Sequence, residues 1–298
     1  MKIGLIGLGK MGLNLALNMQ EHGHVPVGLD LVAANRAIAA NHHLATASDL
    51  TTLIEQLPAP RVIWLMIPAG KPTDTVINQL TTLLSADDIV LDGGNSFYQD
   101  SVAHGQLLAE HGIHFLDVGT SGGQAGARQD GNFMIGGDPD VFKRVEPLFQ
   151  AIAAPNGYLY TGPVGSGHYL KMVHNGIEYG MMAAIGEGFD VLQHSPYDYD
   201  NAAVAKVWNN GSVIRSWLME LAEDAFNHDA NLETIKGVMH SSGEGRWTLD
   251  TALDQQVATP VIAMALMMRY RSETDDTFTG KVVAALRNEF GGHAVDHE

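Results

Sequence analysis

A polar segment near the middle of the chain has the residue types and the spacing that acid–base chemistry needs. It reads Lys171-Met-Val-His174-Asn175-Gly-Ile-Glu178-Tyr179 and lies in a stretch with helical periodicity. Its lysine, histidine, asparagine and glutamate occupy positions i, i+3, i+4 and i+7, which share one helix face and span about 10 Å along the axis. The alternative is a solvated helix face with ordinary i,i+4 pairs, and Lys-x-x-His-Asn alone would favour that alternative.

A base and an acid separated by this span could act on a small molecule. Lys171 could lose its proton in a partly dry site near neutral pH, then take a proton from an alcohol while hydride leaves to a nicotinamide. Glu178, as a carboxylic acid, could later protonate a carbanion or an enol. The segment favours a dehydrogenase reaction if the chain also carries a dinucleotide site.

Such a site is indicated at the amino terminus, where Gly7-Leu-Gly9-Lys-Met-Gly12 follows an apolar strand pattern and opens a helix pattern. The glycines permit the tight turn, the approach of a pyrophosphate and close helix packing, and the helix amino terminus attracts the anion. Asp30 ends the next strand pattern, where a carboxylate binds ribose hydroxyls and repels a 2′-phosphate. The motif predicts NAD. A glycine turn with a capping Asp is the alternative, and Arg36 keeps NADP open.

Composition limits the class of protein. The chain has 298 residues, of which 45% are hydrophobic and 17% charged, as expected for a globular protein of about two domains. It has no cysteine, which excludes disulfides, thiolate metal sites and cysteine nucleophiles and is consistent with a cytoplasmic protein. The formal net charge of −17 makes binding to nucleic acid or to an anionic membrane unfavourable. No apolar run approaches the 20 or so residues of a membrane span, and we expect no signal peptide.

The first half of the chain alternates short apolar runs with helical stretches, which predicts an α/β Rossmann-type domain, a doubly wound parallel sheet covered on both faces. The predicted strands are Ile3–Ile6, Val25–Asp30, Arg61–Ile67, Ile89–Asp92, Gly112–Val118 and Asn132–Ile135. The predicted helices between them are Lys10–His22, Thr73–Leu84, Phe97–His111 and Pro139–Ala153.

The pattern changes at the glycine-rich segment 161–167, which we interpret as a hinge. Long helical patterns follow, with an apolar stripe that includes Leu170, Ile177 and Met181. No strand pattern follows residue 165. We therefore predict a dinucleotide-binding domain over residues 1–161 and an all-α substrate and oligomerisation domain with a carboxyl-terminal tail over residues 162–298.

Taken together, the motifs resemble those of decarboxylating 6-phosphogluconate dehydrogenase, over essentially the whole chain and in the same order. The matching segments are Gly4–Gly12, Leu91-Asp-Gly-Gly-Asn-Ser96, Asp117-Val-Gly-Thr-Ser-Gly-Gly123, Lys171–Tyr179, Arg246-Trp-Thr248 and Arg287-Asn-Glu-Phe-Gly-Gly-His293. The chain lacks the second helical repeat of the long family enzymes, and Asp30-Leu31 replaces the Asn-Arg pair of members that use NADP. The resemblance therefore points to a short, NAD-preferring form.

The resemblance implies a reaction: 6-phosphogluconate is oxidised and decarboxylated to ribulose 5-phosphate and carbon dioxide with reduction of NAD, or less favourably NADP, in the pentose phosphate pathway. Lys171 would be the base on the C3 hydroxyl, and Glu178 the acid that protonates C1 of the enediol. The residues implied to position the sugar acid and the nicotinamide are Asn95, Ser121, Gly122, Gly123, His174 and Asn175. Those implied near the phosphate are Tyr179, Arg246, Thr248 and Arg271. Those implied to bind the cofactor are Gly7, Leu8, Gly9, Lys10, Met11, Gly12, Asp30, Met66 and Asn95.

The resemblance also implies an assembly. Arg287 and His293 match tail residues that family members insert into a neighbouring subunit's site, so a homodimer or homotetramer with composite active sites is expected. These cations would supply the local positive charge that an acidic chain needs to bind a phosphorylated carboxylate.

Three alternatives remain at this point. A 3-hydroxyisobutyrate-type dehydrogenase, which oxidises without decarboxylation, shares the opening motif and a helix lysine, but leaves Glu178-Tyr179 and the tail unexplained. A nucleotide-sensing protein on a dehydrogenase fold is possible because fold does not fix function. A metal site at His104, His111 and His114 is disfavoured because no ligand pattern surrounds them, and we expect surface histidines and no metal.

Overall fold

The structure is a computed structural model that describes residues 1–296, without the side chain of Phe290. The chain divides into two compact units, residues 1–174 and residues from Asn175 onward. The predicted domain limits, 1–161 and 162–298, stay a prediction, and residues 297–298 lie outside the described part. Within residues 1–296, no helix combines the length and apolarity needed to cross a membrane.

The first unit is built on one eight-stranded sheet with the strand order β3-β2-β1-β4-β5-β6-β7-β8. Its strands are β1 Lys2–Ile6, β2 Val25–Leu29, β3 Ala45–Ala47, β4 Val62–Leu65, β5 Ile89–Asp92, β6 His114–Ser121, β7 Gly131–Gly137 and β8 Ala153–Gly162. The neighbours β1 and β4 form a topological switch point, because the chain continues from β1 to one side of the sheet and from β4 to the other. Open α/β sheets bind ligands at such a point. The α/β fold class is confirmed.

One pair departs from the predicted parallel arrangement, because β6 and β7 run antiparallel, with Val118 opposite Ile135. Residues 122–130 alone join the two strands, and a parallel crossover needs a dozen or more residues. The strand β8 was missed because it lies at the edge of the sheet and contains Pro155 and Gly157, which are uncommon inside strands.

Helices connect the strands and cover both faces of the sheet. In the first unit they are α1 Lys10–Glu21, α2 Ala33–Asn41, α3 Leu50–Glu55, α4 Lys71–Leu83, α5 Tyr98–Ala109, α6 Gly123–Arg128 and α7 Pro139–Ile152. The start of α7 shows how sequence fixes a boundary: the Asp138 carboxylate accepts the N–H groups of Asp140 and Val141, and Pro139 stands where no N–H is needed.

Two apolar cores result from the alternation of side chains along the buried strands. Trp64 of β4 and Leu91 of β5 belong to one core, whereas Ile63 and Val90, their neighbours in sequence, belong to the other. Successive side chains on a strand point to opposite faces, so the two cores lie on the two faces of the sheet.

In the described residues of the second unit, every regular element is a helix, as predicted. Helix α8, Ser166–Gln193, begins in the first unit and continues into the second. The remaining helices are α9 Asn201–Asn209, α10 Trp217–His228, α11 Gly243–Asp254, α12 Pro260–Ser272 and α13 Phe278–Gly291. Tyr179 of α8 packs with Ala265 and Leu266 of α12 in a small apolar core.

Candidate active site

The glycine-rich turn after β1 has a geometry that only glycine allows. Gly7 has a φ of 98°, and a Cβ there would lie 2.2 Å from the carbonyl oxygen of Met66. A Cβ on Gly12 would lie 1.9 Å from the carbonyl oxygen of Gly7. The turn therefore packs against both β4 and helix α1, as the sequence motif predicts.

The space in front of this turn suits a pyrophosphate. Helix α1 begins after Gly9, and no side chain caps its amino terminus. A Cβ on Gly9 would meet no atom within 4 Å. An uncapped helix amino terminus beside an open glycine backbone is a favourable anion site, and Lys10 and Met11 form its first turn. The residues present fit a dinucleotide.

Asp30, just beyond β2, is held in a defined orientation by three donors. Its Oδ2 accepts the N–H of Leu8 at 2.8 Å and the amide of Asn35 at 3.1 Å, and its Oδ1 accepts the N–H of Val32 at 2.8 Å. A carboxylate has about four acceptor positions, so one remains on Oδ1 for a hydroxyl. Arg36 donates to the carbonyl oxygens of Asp30 and Leu31.

The loop after β5 presents Asn95. Asp92, fully buried, accepts the N–H of Gly94 at 3.1 Å and the hydroxyl of Ser96 at 2.6 Å. These two bonds close the loop on both sides of Asn95, which is exposed. The motif Asp-Gly-Gly-Asn-Ser thus holds an asparagine at the carboxyl edge of the sheet, two strands away from the glycine-rich turn.

The end of β6 forms a second open loop. Gly122 and Gly123 have φ values of 96° and 59°, and a Cβ on Gly123 would meet no atom within 4 Å. Beside them, the hydroxyl of Ser121 lies 3.4 Å from Nε2 of His174 on helix α8. The structure brings the predicted Ser-Gly-Gly motif together with the predicted helix histidine.

Lys171 lies one turn earlier on α8 and is buried, with 6% of its surface exposed. Helix α8 passes close to β6 at this residue: a Cβ on Gly119 would lie 2.4 Å from the Cβ of Lys171. Burial of a lysine against the carboxyl-terminal part of β6 is the setting that a proton-accepting amine requires.

Helix α6, which follows the Ser-Gly-Gly loop, is attached to the cofactor helix α1. Arg128 forms a bidentate ion pair with Glu21, and this hydrogen bonding holds the pKa of the Glu21 carboxyl below its usual value. Asn18, fully buried, donates its amide to the carbonyl oxygens of Ala127 at 3.2 Å and Ile152 at 3.1 Å. Side chains of α1 thus fix the position of the predicted substrate loop.

In the second unit, Asn175 of α8 meets the start of α11. Its amide donates to Oε1 of Glu244 at 3.2 Å, and Glu244 is 3% exposed. The hydroxyl of Thr248 donates to the backbone carbonyl of Glu244 at 2.8 Å. Two of the predicted substrate residues are therefore linked through a buried glutamate that the sequence analysis did not select, although it lies two residues before Arg246.

Tyr179 lies at the centre of a second polar cluster. Its hydroxyl accepts the N–H of Ser242 at 3.0 Å and lies 3.0 Å from the Ser242 hydroxyl. The guanidinium of Arg269 stacks 3.6 Å from the centroid of the Tyr179 ring and donates to the carbonyl of His240 at 2.8 Å. Arg269 was missed by the sequence analysis, which selected Arg271, two residues further along the same helix.

The other predicted cations lie elsewhere. Arg246 is exposed and donates to Asp250 at 3.3 Å. Arg271 donates to the carbonyl of Thr274. Arg287 and His293 lie together at the end of α13, and both are exposed. Glu178, on α8, is half-buried.

The histidines considered for a metal have other surroundings. His104 is buried, not a surface residue as expected, and its Nε2 lies 2.9 Å from a carboxylate oxygen of Asp74. His114 contacts Asp87 at 3.1 Å. Within residues 1–296, no cluster of three or more acidic or histidine side chains could hold a metal ion.

A Rossmann sheet with an open glycine turn, an acidic residue beyond β2 and a buried helix lysine defines a nicotinamide-dependent dehydrogenase. Comparison with known proteins gives the family. Residues 2–165 match the NAD-binding domain of 6-phosphogluconate dehydrogenase, and residues 167–296 match its carboxyl-terminal domain. The chain belongs to the 6-phosphogluconate dehydrogenase family of oxidoreductases, and NAD, with NADP also possible, is confirmed as the cofactor type.

Three relatives show how the chain compares. It is 57% identical over 296 residues, 99% of each chain, to the Bacillus subtilis protein YqeC, whose own assignment as a 6-phosphogluconate dehydrogenase is provisional. It is 41% identical to a Haloferax volcanii NAD(+)-dependent, decarboxylating 6-phosphogluconate dehydrogenase, over 99% of this chain and 98% of that one. The solved Plasmodium falciparum 6-phosphogluconate dehydrogenase superposes with a TM-score of 0.85 at 29% identity. The present chain is covered completely but spans 66% of the Plasmodium enzyme.

Proposed function

We propose that the chain oxidises and decarboxylates 6-phosphogluconate to ribulose 5-phosphate and carbon dioxide, with NAD as the preferred hydride acceptor. The observation that carries the proposal is that buried Lys171 packs against Gly119 of β6, while His174 lies beside Ser121 at the end of the same strand. The dinucleotide turn lies at the same carboxyl edge of the same sheet, so substrate and cofactor can meet there.

The first step is a proton transfer from the substrate. Neutral Lys171 accepts the proton of the C3 hydroxyl, while the nicotinamide, when bound, supplies the hydride acceptor for C3. Ser121 and His174 hydrogen-bond the sugar acid from the loop and from the helix, and Asn95 orients it from the neighbouring loop. Fixing the reacting groups in this way lowers the entropic part of the barrier.

The second step follows from the product of the first. The 3-keto acid loses carbon dioxide when the C1–C2 bond breaks, and its electron pair moves to the C3 carbonyl oxygen, which takes the proton back from Lys171. Glu178 then protonates the former C2, which becomes C1 of ribulose 5-phosphate, while the enediol hydroxyl returns its proton to Lys171. A proton passing from Lys171 to Glu178 resets the pair. Helix α8 carries both groups two turns apart.

The NAD preference is supported by the environment of Asp30. Its carboxylate is fixed by Leu8, Val32 and Asn35 and retains one acceptor position for a ribose hydroxyl. A 2′-phosphate at that point would meet like charge. Arg36, the residue that could have attracted this phosphate, already donates to two backbone carbonyls.

The phosphate subsite is proposed around Tyr179, with Thr248 nearby on α11. Arg269 lies against the Tyr179 ring, and its planar guanidinium suits bidentate phosphate binding. Arg246 and Arg271 stay predicted phosphate ligands. Arg269 is added as a third candidate because it stacks on the Tyr179 ring.

The second unit also supports the proposed oligomer. Helices α12 and α13 carry large apolar side chains that are 40–79% exposed in the single chain. They are Val261, Met264, Met267, Met268, Phe278, Val282, Val283 and Leu286. Large apolar side chains exposed in this number on two helices are typical of a surface that a partner covers, so we propose that a second copy covers them. Arg287 and His293 follow directly after this surface, where they could complete the neighbouring copy's site.

The reaction is tested by incubating the purified protein with 6-phosphogluconate and NAD, then with NADP, while reduced nicotinamide and carbon dioxide are measured together. We expect equal amounts of both products and faster turnover with NAD. Reduction without carbon dioxide would instead indicate a 3-hydroxyisobutyrate-type reaction. In Glu178→Gln, full turnover would contradict the role of Glu178, whereas accumulation of an unprotonated intermediate with reduced turnover would support it.

A further inference from the structure

The start of helix α8 is attached to strand β6 by a buried carboxylate. Asp117 is fully buried. Its Oδ1 accepts the N–H of Gly165 at 2.7 Å, and its Oδ2 accepts the N–H of His168 at 2.8 Å. Both N–H groups belong to the amino-terminal end of the helix, where the partial positive charge of the backbone favours an anion. The carboxylate therefore caps α8 from a strand that lies 48 residues earlier in the chain.

The same helix turn is pressed against the sheet at glycines. A Cβ on Gly136 would lie 2.6 Å from Oδ1 of Asp117, and a Cβ on Gly167 would lie 2.4 Å from the carbonyl of Met134. The helix begins at van der Waals distance from the backbone of β6 and β7, and the carboxylate fixes which turn of the helix occupies that place.

We propose that Asp117 is a positioning residue for Lys171. By holding the N–H groups of Gly165 and His168, it sets both the height of α8 above β6 and the rotation of the helix about its axis. Lys171 follows one turn after His168, and His174 one turn later faces Ser121. The inference rests on the proposed function of Lys171 as the base, and Asp117 acts on catalysis through the helix.

The expected size of the effect follows from how steeply catalysis depends on geometry. A displacement of about 1 Å in a reacting group can lower the rate of a well-positioned reaction about 100-fold. Dinucleotide binding depends on β1, β2 and α1, which do not contact Asp117 through either of its hydrogen bonds. Loss of the Asp117 cap should therefore reduce kcat while NAD affinity is retained.

The test uses Asp117→Asn, which keeps the shape of the side chain but turns an amide N–H₂ toward one of the two backbone donors. The control is Asp138→Asn, the same substitution at the start of another helix. Exposed Asp138 accepts two backbone N–H groups of α7 with Oδ1, and α7 carries none of the predicted site residues. For each purified variant, kcat, the KM for the sugar acid, NAD affinity and amide hydrogen exchange are measured.

For Asp117→Asn we expect kcat to fall about 10- to 100-fold, with the Kd for NAD and the KM for the sugar acid changed less than about threefold. Amides of residues 165–174 should exchange faster than in the unchanged protein. For Asp138→Asn, which keeps an Oδ1 that can accept both N–H groups, we expect unchanged exchange in α7 and an unchanged kcat. A kcat in Asp117→Asn that equals that of the control would overturn the proposal, as would unchanged exchange at 165–174.

Two further comparisons distinguish a failure of the proposed reaction from a failure of the proposal for Asp117. If the unchanged protein does not turn over 6-phosphogluconate, the proposed function fails, and the exchange at 165–174 still decides whether Asp117 holds the helix. If Asp117→Asn does not fold, Asp117→Ser keeps one acceptor oxygen in a smaller side chain and takes its place. In that variant too, a raised KM with an unchanged kcat would contradict a role in positioning Lys171.

Discussion

At the scale of single residues, the selectivity that we propose for this site depends on side chains whose orientation is fixed by several partners. Asp30 has three donors around its carboxylate, and Arg269 is held by the Tyr179 ring and by the His240 carbonyl. A charged side chain with a fixed orientation can distinguish a hydroxyl from a phosphate, because it does not rearrange to accommodate the wrong group.

Replacing Asp30 by Ser should weaken NAD binding about 10- to 100-fold, because a hydrogen bond to a charged group is lost. NADP binding should change little or improve, since the like charge is removed. Titration of both nucleotides by protein fluorescence measures this. Asp49→Ser is the control, because Asp49 caps α3 by accepting the N–H of Thr52. An equal loss for NAD and NADP in Asp30→Ser would refute selection at the ribose.

Replacing Arg269 by Met should raise the KM for the phosphorylated sugar acid about 10- to 100-fold, because a charge-assisted contact to phosphate is removed. Unphosphorylated gluconate tests whether Arg269 binds the phosphate. Gluconate should be a poor substrate of the unchanged protein, and Arg269→Met should turn it over at the same rate. Arg271→Met is the matched comparison on the same helix. If Arg271→Met shows the large, phosphate-dependent effect and Arg269→Met does not, the phosphate contact belongs to Arg271.

At the scale of elements, the predicted cofactor loop and the predicted substrate loop are connected through contacts between the helices that follow them. Helix α1 begins at the dinucleotide turn, and helix α6 begins at the Ser-Gly-Gly loop. Asn18 and the Glu21–Arg128 pair join these two helices. Besides apolar packing that includes Ala127, the connection contains one buried amide and one exposed ion pair, which can be removed separately.

Replacing Asn18 by Ala should lower the free energy of unfolding by about 2 kcal/mol, because two buried carbonyl oxygens lose their donor. Asn14→Ala is the control on the same helix, since the exposed Asn14 amide donates to the carbonyl of Lys10 within α1. Urea denaturation of both variants measures the difference. Equal stability of the two variants would mean that the Asn18 amide does not hold α6 and α7.

The Glu21–Arg128 pair predicts a pH dependence. The folded pKa of Glu21 lies below its usual value because Arg128 hydrogen-bonds the carboxylate, so the pair stabilises the fold above the usual carboxyl pKa and loses that contribution as the pH falls through the lowered value. Glu21→Gln should lower Tm slightly at pH 7. This difference should shrink below about pH 4.

The control is Lys143→Gln, which breaks an exposed pair inside α7 and should not change Tm. A difference between Glu21→Gln and the unchanged protein that grows on acidification would contradict the sign derived for Glu21.

At the scale of the whole molecule, an acidic chain has to assemble positive charge around an anionic substrate. The net charge of −17 opposes a phosphorylated carboxylate at long range, and only local cations can overcome it. Arg287 and His293 are exposed at the end of α13, directly after the apolar surface that we propose is covered by a second copy. The proposed oligomer would therefore also supply charge to the site.

Mixing two inactive variants tests this composite site. Lys171→Ala keeps an intact tail, and the double variant Arg287→Ala, His293→Ala keeps an intact Lys171. If the tail serves the neighbouring copy, mixed dimers regain one complete site, and random pairing should restore about a quarter of full activity. Denaturing and refolding the mixture, followed by the turnover assay, measures this. No recovery in mixed dimers would show that the tail serves its own chain.

Much of the dinucleotide site could be predicted because it depends on local geometry. The glycine turn, the helix after it and the acidic residue beyond β2 lie within about 25 residues. Close backbone contacts require Gly7 and Gly12, and Gly9 leaves open space in front of the turn. The shared face of Lys171, His174 and Glu178 was predictable for a similar reason, because the helical repeat alone sets it.

Other parts of the site depended on packing between distant segments. Asp117 reaches Gly165 and His168 across 48 and 51 residues, and nothing in the periodicity of either segment indicates that contact. Arg269 and Arg271 are both arginines near the end of α12, and the sequence pattern does not favour one over the other as the phosphate ligand. They lie on different faces of the helix, because two residues rotate a helix by about 200°. The antiparallel β7 could have been inferred from the short connection after Ser121.

The amino-acid sequence by itself determined the fold class, the cofactor turn and the spacing of the reactive side chains, because these follow from backbone sterics and from the repeats of helix and strand. Only the tertiary structure decided that Asp117 caps the helix of Lys171, that Arg269 stacks on Tyr179 and that Glu244 links Asn175 to Thr248. These contacts depend on which helix surface meets which strand or helix. That choice is made by the packing of whole elements, which local sequence patterns do not encode.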